Sequence, residues 1–251
     1  MIDKDLLFLE NCGNDGLKLL ADFLVYDNDG KKRISEELSY RKGYVEACYS
    51  NDMHKAIPEI VDELQRYGGN TIRNIFRGHG VPYREILENV CKKLNVPFNK
   101  ASSTELIEHY LLQQFLIMSV DKMTEEDVHH LSDKLTKEAF KQQIGMLKAG
   151  SPLFIKLTTI LVAKLATQFG LKQAAGLVAK LAGGRTFAVL TGPIGWVLTS
   201  IWTAYDIAGP AYRVLVPCTI TIAYLRSIQG KSEDELNEIL KNASLTETSE
   251  K

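Results

Sequence analysis

The chain has 251 residues, 45 % of them hydrophobic and 24 % charged, with a formal net charge of −1. That composition supports a packed core, excludes wholesale disorder and fits one large domain or two small ones. A net charge this close to zero gives no general reason to expect nucleic acid as a partner.

Helical signals dominate from the start. Asp3 or Asp5 can cap a short helix carrying Leu6, Leu7, Phe8 and Leu9. Asn14 to Tyr26 places Leu17, Leu20, Ala21 and Leu24 at helical spacing and stops at the turn Asp27-Asn28-Asp29-Gly30. Ser35 to Cys48 reads as a third helix opened by Ser35, and His54 to Tyr67 as a fourth ending at Gly68-Gly69. A short segment from Thr71 to Phe76 breaks at Gly78-His79-Gly80, and a helix from Tyr83 to Leu94 follows. Two capping boxes come next. Ser102-Ser103-Thr104-Glu105 opens a helix to about Val120, and Thr124 to Asp127 opens another to about Lys148. No alternating strand pattern is visible in the first 150 residues, so the expected class is all-α.

Composition changes at Gly150-Ser151-Pro152. Residues 1–150 read as an acidic helical domain, with 3–40 as a short module of their own. Residues 151–230 are apolar and basic, with seven basic residues against the single acid Asp206. Residues 231–251 form an acidic tail with a mobile tip. Leu161-Val-Ala-Lys-Leu-Ala166 recurs as Leu177-Val-Ala-Lys-Leu-Ala182, and a break near Gly170 would let both copies face one partner. Thr186 to Tyr205 is twenty residues without a charge, which reaches the length of a bilayer span. Gly192, Pro193, Gly195 and several hydroxyl side chains weaken that reading, because Pro193 favours the start of a shorter core helix.

Several patterns invite specific chemistry. Asp27, Asp29 and Glu36 approximate a calcium loop, but Val25 occupies the first ligand position, so a polar turn is preferred. Arg73, Arg77, His79 and Arg84 surround two glycines and form a candidate anion site, with a tight helix–helix turn as the alternative. Glu105 with His109, and Glu125, His129 and Asp133, lie at four-residue steps and read as ion pairing along helix surfaces. Cys12, Cys48, Cys91 and Cys218 lack metal-ligand spacing and read as free buried thiols in a reducing compartment. No cofactor and no metal is expected, and no catalytic motif is found. The acidic opening differs from a secretory leader, so a cytoplasmic location is expected, peripheral to or inserted in an inner membrane. Lys156, Lys164, Lys172 and Lys180 could meet anionic headgroups, and Trp196 and Trp202 could sit at the interface.

The opening DKDLLFLENCGNDGLKLLADFLVYDNDGKKRISEELS resembles the N-terminal domain of the uncharacterised bacterial YaaW-like family. YGGNTIRNIFRGHGVPYREILENVCKKL is similar to that family's central block. Gly192-Pro-Ile-Gly195, Gly209-Pro-Ala-Tyr-Arg-Val214, Pro217, Ile222, Ala223, Leu225 and Arg226 look like its C-terminal block. A distant grouping with ubiquinol–cytochrome c chaperone-like domains implies a helical assembly factor and supplies no catalytic residues. Two readings follow. One is a non-enzymatic helical protein whose basic C-terminal half binds or conditionally inserts into anionic membrane. The other is a helical chaperone or scaffold that binds a protein client or a second copy of itself.

Overall fold

A computed structural model describes residues 3–71, 80–131, 135–181, 185–205 and 211–243, and all named elements among them are helices. Asp3 caps an opening 3-10 helix, Lys4–Asn11, by accepting from the Asp5 N–H. Then come α1 (Asn14–Val25), α2 (Lys42–Ser50), α3 (Ile57–Thr71), α4 (Tyr83–Lys93), α5 (Thr104–Asp121) and α6 (Glu125–Leu131). The rest are α7 (Lys137–Met146), α8 (Pro152–Gln168), α9 (Gln173–Leu181), α10 (Arg185–Tyr205), α11 (Tyr212–Ser227) and α12 (Glu233–Asn242). The all-α class is therefore established.

Helix α11 is the axis of the fold. Every residue from Val214 to Leu225 is buried, and α1, α4, α5 and α8 pack around it. A helix apolar on all faces needs neighbours on all faces. Its polar side chains are satisfied locally, since the Thr219 and Thr221 hydroxyls donate to the carbonyls of Leu215 and Pro217. Gly16 permits the closest approach, because a Cβ there would lie 2.5 Å from Leu225 Cδ2. One cluster of buried residues runs from Leu6 to Leu240, so the core is continuous across Gly150.

Several boundaries differ from the sequence reading. The expected helix over Ser35–Cys48 starts only at Lys42. Ser35 bonds to the Tyr67 hydroxyl instead of capping, and Glu36 turns back to accept from Ser39. The N-terminus of α2 is satisfied from outside, by Glu59 of α3 accepting from the N–H groups of Gly43 and Tyr44. Helix α3 continues through Gly68-Gly69, the expected stop. A side chain at Gly68 would come within 2.7 Å of Ile86, so the glycine serves close packing on α4 rather than termination. The helix expected from Thr124 to Lys148 is two, because Thr136 caps a new start by accepting from Ala139. Pro193 lies inside α10 and does not begin it. Gly170 does break the repeat into α8 and α9, with φ +62°.

Among the described residues, no helix is long and apolar enough to cross a membrane. The acidic helix α12 packs on α8 and α9. Its start is a capping box made by Ser232 and Glu235.

Candidate ligand pocket between α5, α8 and α11

Helix α5 places Glu105, Glu108, His109 and Leu112 on one face, at the offsets of three, four and seven that a helix stacks together. Ser103 fixes where α5 begins, its hydroxyl accepting from the Leu106 N–H. Across from that face lie Phe154 of α8 and Ala223, Arg226 and Ser227 at the end of α11. The loop through Ala149 and Gly150 closes the rim. Gly150 has φ +74° and runs close to the Ser227 carbonyl, which suits glycine alone. The open cleft so formed holds about 240 Å³.

Glu108 is 2 % exposed and makes three contacts across the fold. It accepts from the Tyr83 hydroxyl at 2.7 Å and from Arg226 Nε at 2.5 Å, with Arg226 Nη2 at 3.4 Å. Arg226 also donates to the Asp5 carbonyl and lies over the Phe8 ring. Burial pushes the Glu108 carboxyl's pKa up, and the guanidinium works against that push. Burial disfavours charged Arg226, but the carboxylate beside it outweighs the effect and raises its pKa. The pair is thus a charge-assisted bond held by four segments, and its charges cancel.

Glu105 stands at the mouth, 56 % exposed and 3.8 Å from Arg226 Nη1. Its own backbone N–H lowers the carboxyl's pKa, with help from Ser103 and Arg226. His109 packs its ring 4.7 Å from Phe154, and its Nδ1 is buried without a hydrogen-bond partner. Burial lowers the imidazole's pKa, and the Leu147 backbone opposes it. The site combines one buried ion pair, one exposed carboxylate at its mouth, a half-buried imidazole and an apolar wall.

The sequence reading of Glu105 and His109 as surface ion pairing is corrected here, because His109 is turned onto Phe154 and Arg226 arrives from α11. The visible signal was the Glu105, Glu108, His109 spacing; the missing one was Arg226. The other candidates fall elsewhere. Arg73, Arg77 and His79 lie outside the described residues. Arg84 donates to Glu88, Thr104 and the Lys100 carbonyl, and so holds the loop between α4 and α5. Lys156 is corrected as a membrane contact, because it is 8 % exposed and donates to the Ala243 carbonyl at 2.7 Å. Lys180 is bonded to Glu233 of α12, Lys164 lies along Gly195 of α10, and Lys172 is exposed. Trp196 is 69 % exposed, while the Trp202 side chain lies outside the described residues.

Asp27 spends its carboxylate on the N–H groups of Asp29 and Lys31, which is a turn. Glu125 accepts from the Lys137 N–H, His130 lies 3.8 Å from Glu126, and Asp133 is outside the described residues. Cys12, Cys91 and Cys218 are buried, whereas Cys48 is exposed, contrary to expectation. Burial pushes the Cys12 thiol's pKa to about 11 and that of Cys91 to about 12.

Comparison with known proteins places these observations. Residues 1–34 match a family model described as a domain of unknown function, DUF3944. A UPF0174 protein of Helicobacter pylori strain J99 is 36 % identical over 242 residues, covering 93 % of this chain and 95 % of that protein. The UPF0174 protein YaaW of Escherichia coli K12 is 32 % identical over 235 residues, covering 92 % and 97 %. No solved structure matches the chain.

Proposed function

Since this chain belongs to the UPF0174 family, we propose that it is a non-enzymatic helical binding protein whose pocket between α5, α8 and α11 takes a compact organic cation. The observation that carries this reading is the charge balance of the pocket. Glu105 and Glu108 bring two carboxylates, Arg226 brings one guanidinium, and the guanidinium is engaged by Glu108. An anion would have to displace Glu108 from Arg226. A cation needs only to approach Glu105, while its hydrocarbon part lies on Leu112, Phe154 and Ala223 and its N–H meets His109. The volume of about 240 Å³ is smaller than ordinary cofactor pockets, so a small amine fits and a nucleotide does not. Binding there would touch Arg226, and through it the opening 3-10 helix.

The test is calorimetric titration with n-butylamine and isobutylamine, using butyrate as the control. The amines should bind the protein, butyrate should not, and Glu105→Gln should weaken the amines by up to about fivefold, the loss of one exposed charge contact. If butyrate binds as well as butylamine, or no amine binds, the cation reading fails.

A second reading, a scaffold for a protein client, has its own support. Ile34, Tyr40, Val45 and Tyr49 are exposed apolar side chains within sixteen residues of sequence, with Tyr40 79 % and Tyr49 90 % exposed. Exposed tyrosines suit protein contacts, because they bring area at low entropy cost. Surface contact with anionic lipid has less support, since Lys156 is internal and Lys180 is engaged by α12.

A further inference from the structure

We propose that helix α2 is a self-association surface, on which a second copy of this chain packs its own α2 antiparallel about a twofold axis. Tyr44 and Ala47 turn one face of α2 into the core. The opposite face carries Lys42, Val45, Glu46 and Tyr49, all exposed. Their offsets of three, four and seven place them in one stripe along the helix. Tyr49 and Tyr40, the latter just ahead of α2, are both largely exposed.

The charges on the stripe name the partner. Lys42 and Glu46 have no ion-pair partner among the described residues. Neither charge serves its own helix. A base in the first turn opposes the helix dipole, and a lysine four residues ahead of a glutamate is the weaker order for a pair within one helix. Across a twofold axis the same two charges match. An axis at the level of residue 44 sets Lys42 beside Glu46 of the second copy, and Glu46 beside its Lys42. Val45 then lies next to the axis, against its own counterpart. Tyr49 comes level with residues 39–40 of the second copy, where Tyr40 is exposed. One axis position thus pairs both charges twice and brings an exposed tyrosine to each end. Such self-complementarity is what a twofold contact requires. An anionic lipid surface would instead repel Glu46.

A contact built on one nine-residue helix is smaller than the interface of a permanent dimer, so the association is reversible. The second copy is the protein partner that the exposed tyrosines suit. Self-association therefore rests on that second reading and owes nothing to the amine cleft, to which α2 contributes no residue.

The experiment is sedimentation velocity of the full chain from about 10 µM to about 1 mM, the span that a small reversible contact needs. The wild type should move from monomer toward dimer as its concentration rises. Lys42→Glu and Glu46→Lys should each weaken the dimer about five- to twentyfold, since each turns two exposed pairs from attraction to repulsion. A mixture of these two variants should associate again, because the acidic stripe of one faces the basic stripe of the other. Tyr49→Ser should weaken the dimer as well. All three positions are exposed, and an acid in the first turn suits the dipole, so circular dichroism of the variants should match wild type. A wild type that stays monomeric at the highest concentration overturns self-association and leaves the tyrosine face to a different protein. A dimer indifferent to the variants, or a mixture no stronger than its components, overturns it too.

Discussion

The guanidinium of Arg226 lies 3.9 Å from the centre of the Phe8 ring, a cation held over an aromatic face from the far end of the sequence. The same guanidinium reaches the Asp5 carbonyl and the buried Glu108 carboxylate. One side chain therefore ties the opening segment, α5 and α11 together, and its removal would leave Glu108 buried and uncompensated.

Arg226→Met should accordingly destabilise the protein by about 3–5 kcal/mol, the cost of breaking a buried pair from one side. The double variant Arg226→Met, Glu108→Met should recover most of the loss. Urea unfolding of the two single variants and the double variant measures the coupling. An additive double variant would show that the pair does not act as a unit.

Asp22 gives a pH dependence of known sign. It is buried, and burial pushes its carboxyl's pKa from 3.8 to about 6, with Lys18, Gln173 and Lys172 pulling the other way. A raised acid favours the protonated form in the fold, so the penalty is absent below pH 4 and complete above pH 6. Asp22→Asn should be more stable than wild type by about 3 kcal/mol at pH 7, with the advantage vanishing near pH 4. Denaturant midpoints across that range provide the measurement.

Gly68→Ala should lower stability even though alanine is the better helix former. The new methyl would lie 2.7 Å from Ile86 Cγ1 and 3.3 Å from Val81 Cβ. Overpacking costs about 1–3 kcal/mol, against about 1 kcal/mol gained in propensity. Gly69, with open space around it, is the control: Gly69→Ala should stabilise.

Removing residues 231–251 should destabilise the remainder by about 2–5 kcal/mol. Leu240 and Ala243 are buried, and Lys156 loses the carbonyl that its buried ammonium donates to. Adding Lys156→Met to the truncated protein should restore part of the loss, because the unpaired charge is then gone. The unfolding midpoints of the two truncated forms check this.

What the sequence made legible follows the range of the interaction. The Thr124–Asp127 cap, the Gly170 break and the turn at Asp27 are set by groups within a few residues, and each is readable. The start of α2 was not, because its capping carboxylate, Glu59, comes from the next helix. Gly68 looked like a stop because its role is steric and its neighbour, Ile86, is on α4. The same reason hid the pocket. Glu105 and His109 stand at helical spacing, but nothing near them in the chain announces that Arg226 and Phe154 arrive on their open side. Lys156 looked like a surface cation because sequence cannot show that a carbonyl 87 residues later accepts its proton.

The bond from Arg226 to the Asp5 carbonyl also bears on how the chain is made. At about 5–20 residues per second, a ribosome needs roughly 10–45 s between delivering Phe8 and delivering Arg226. During that interval the opening segment exists without the side chain that covers it, and Glu108 waits without its counter-charge. The first helices can form locally, but their final seating on α11 is postponed until α11 itself has been made. Until α11 arrives, Leu6, Phe8 and Leu9, which are buried in the finished fold, lack the cover that the Arg226 side chain and α11 bring.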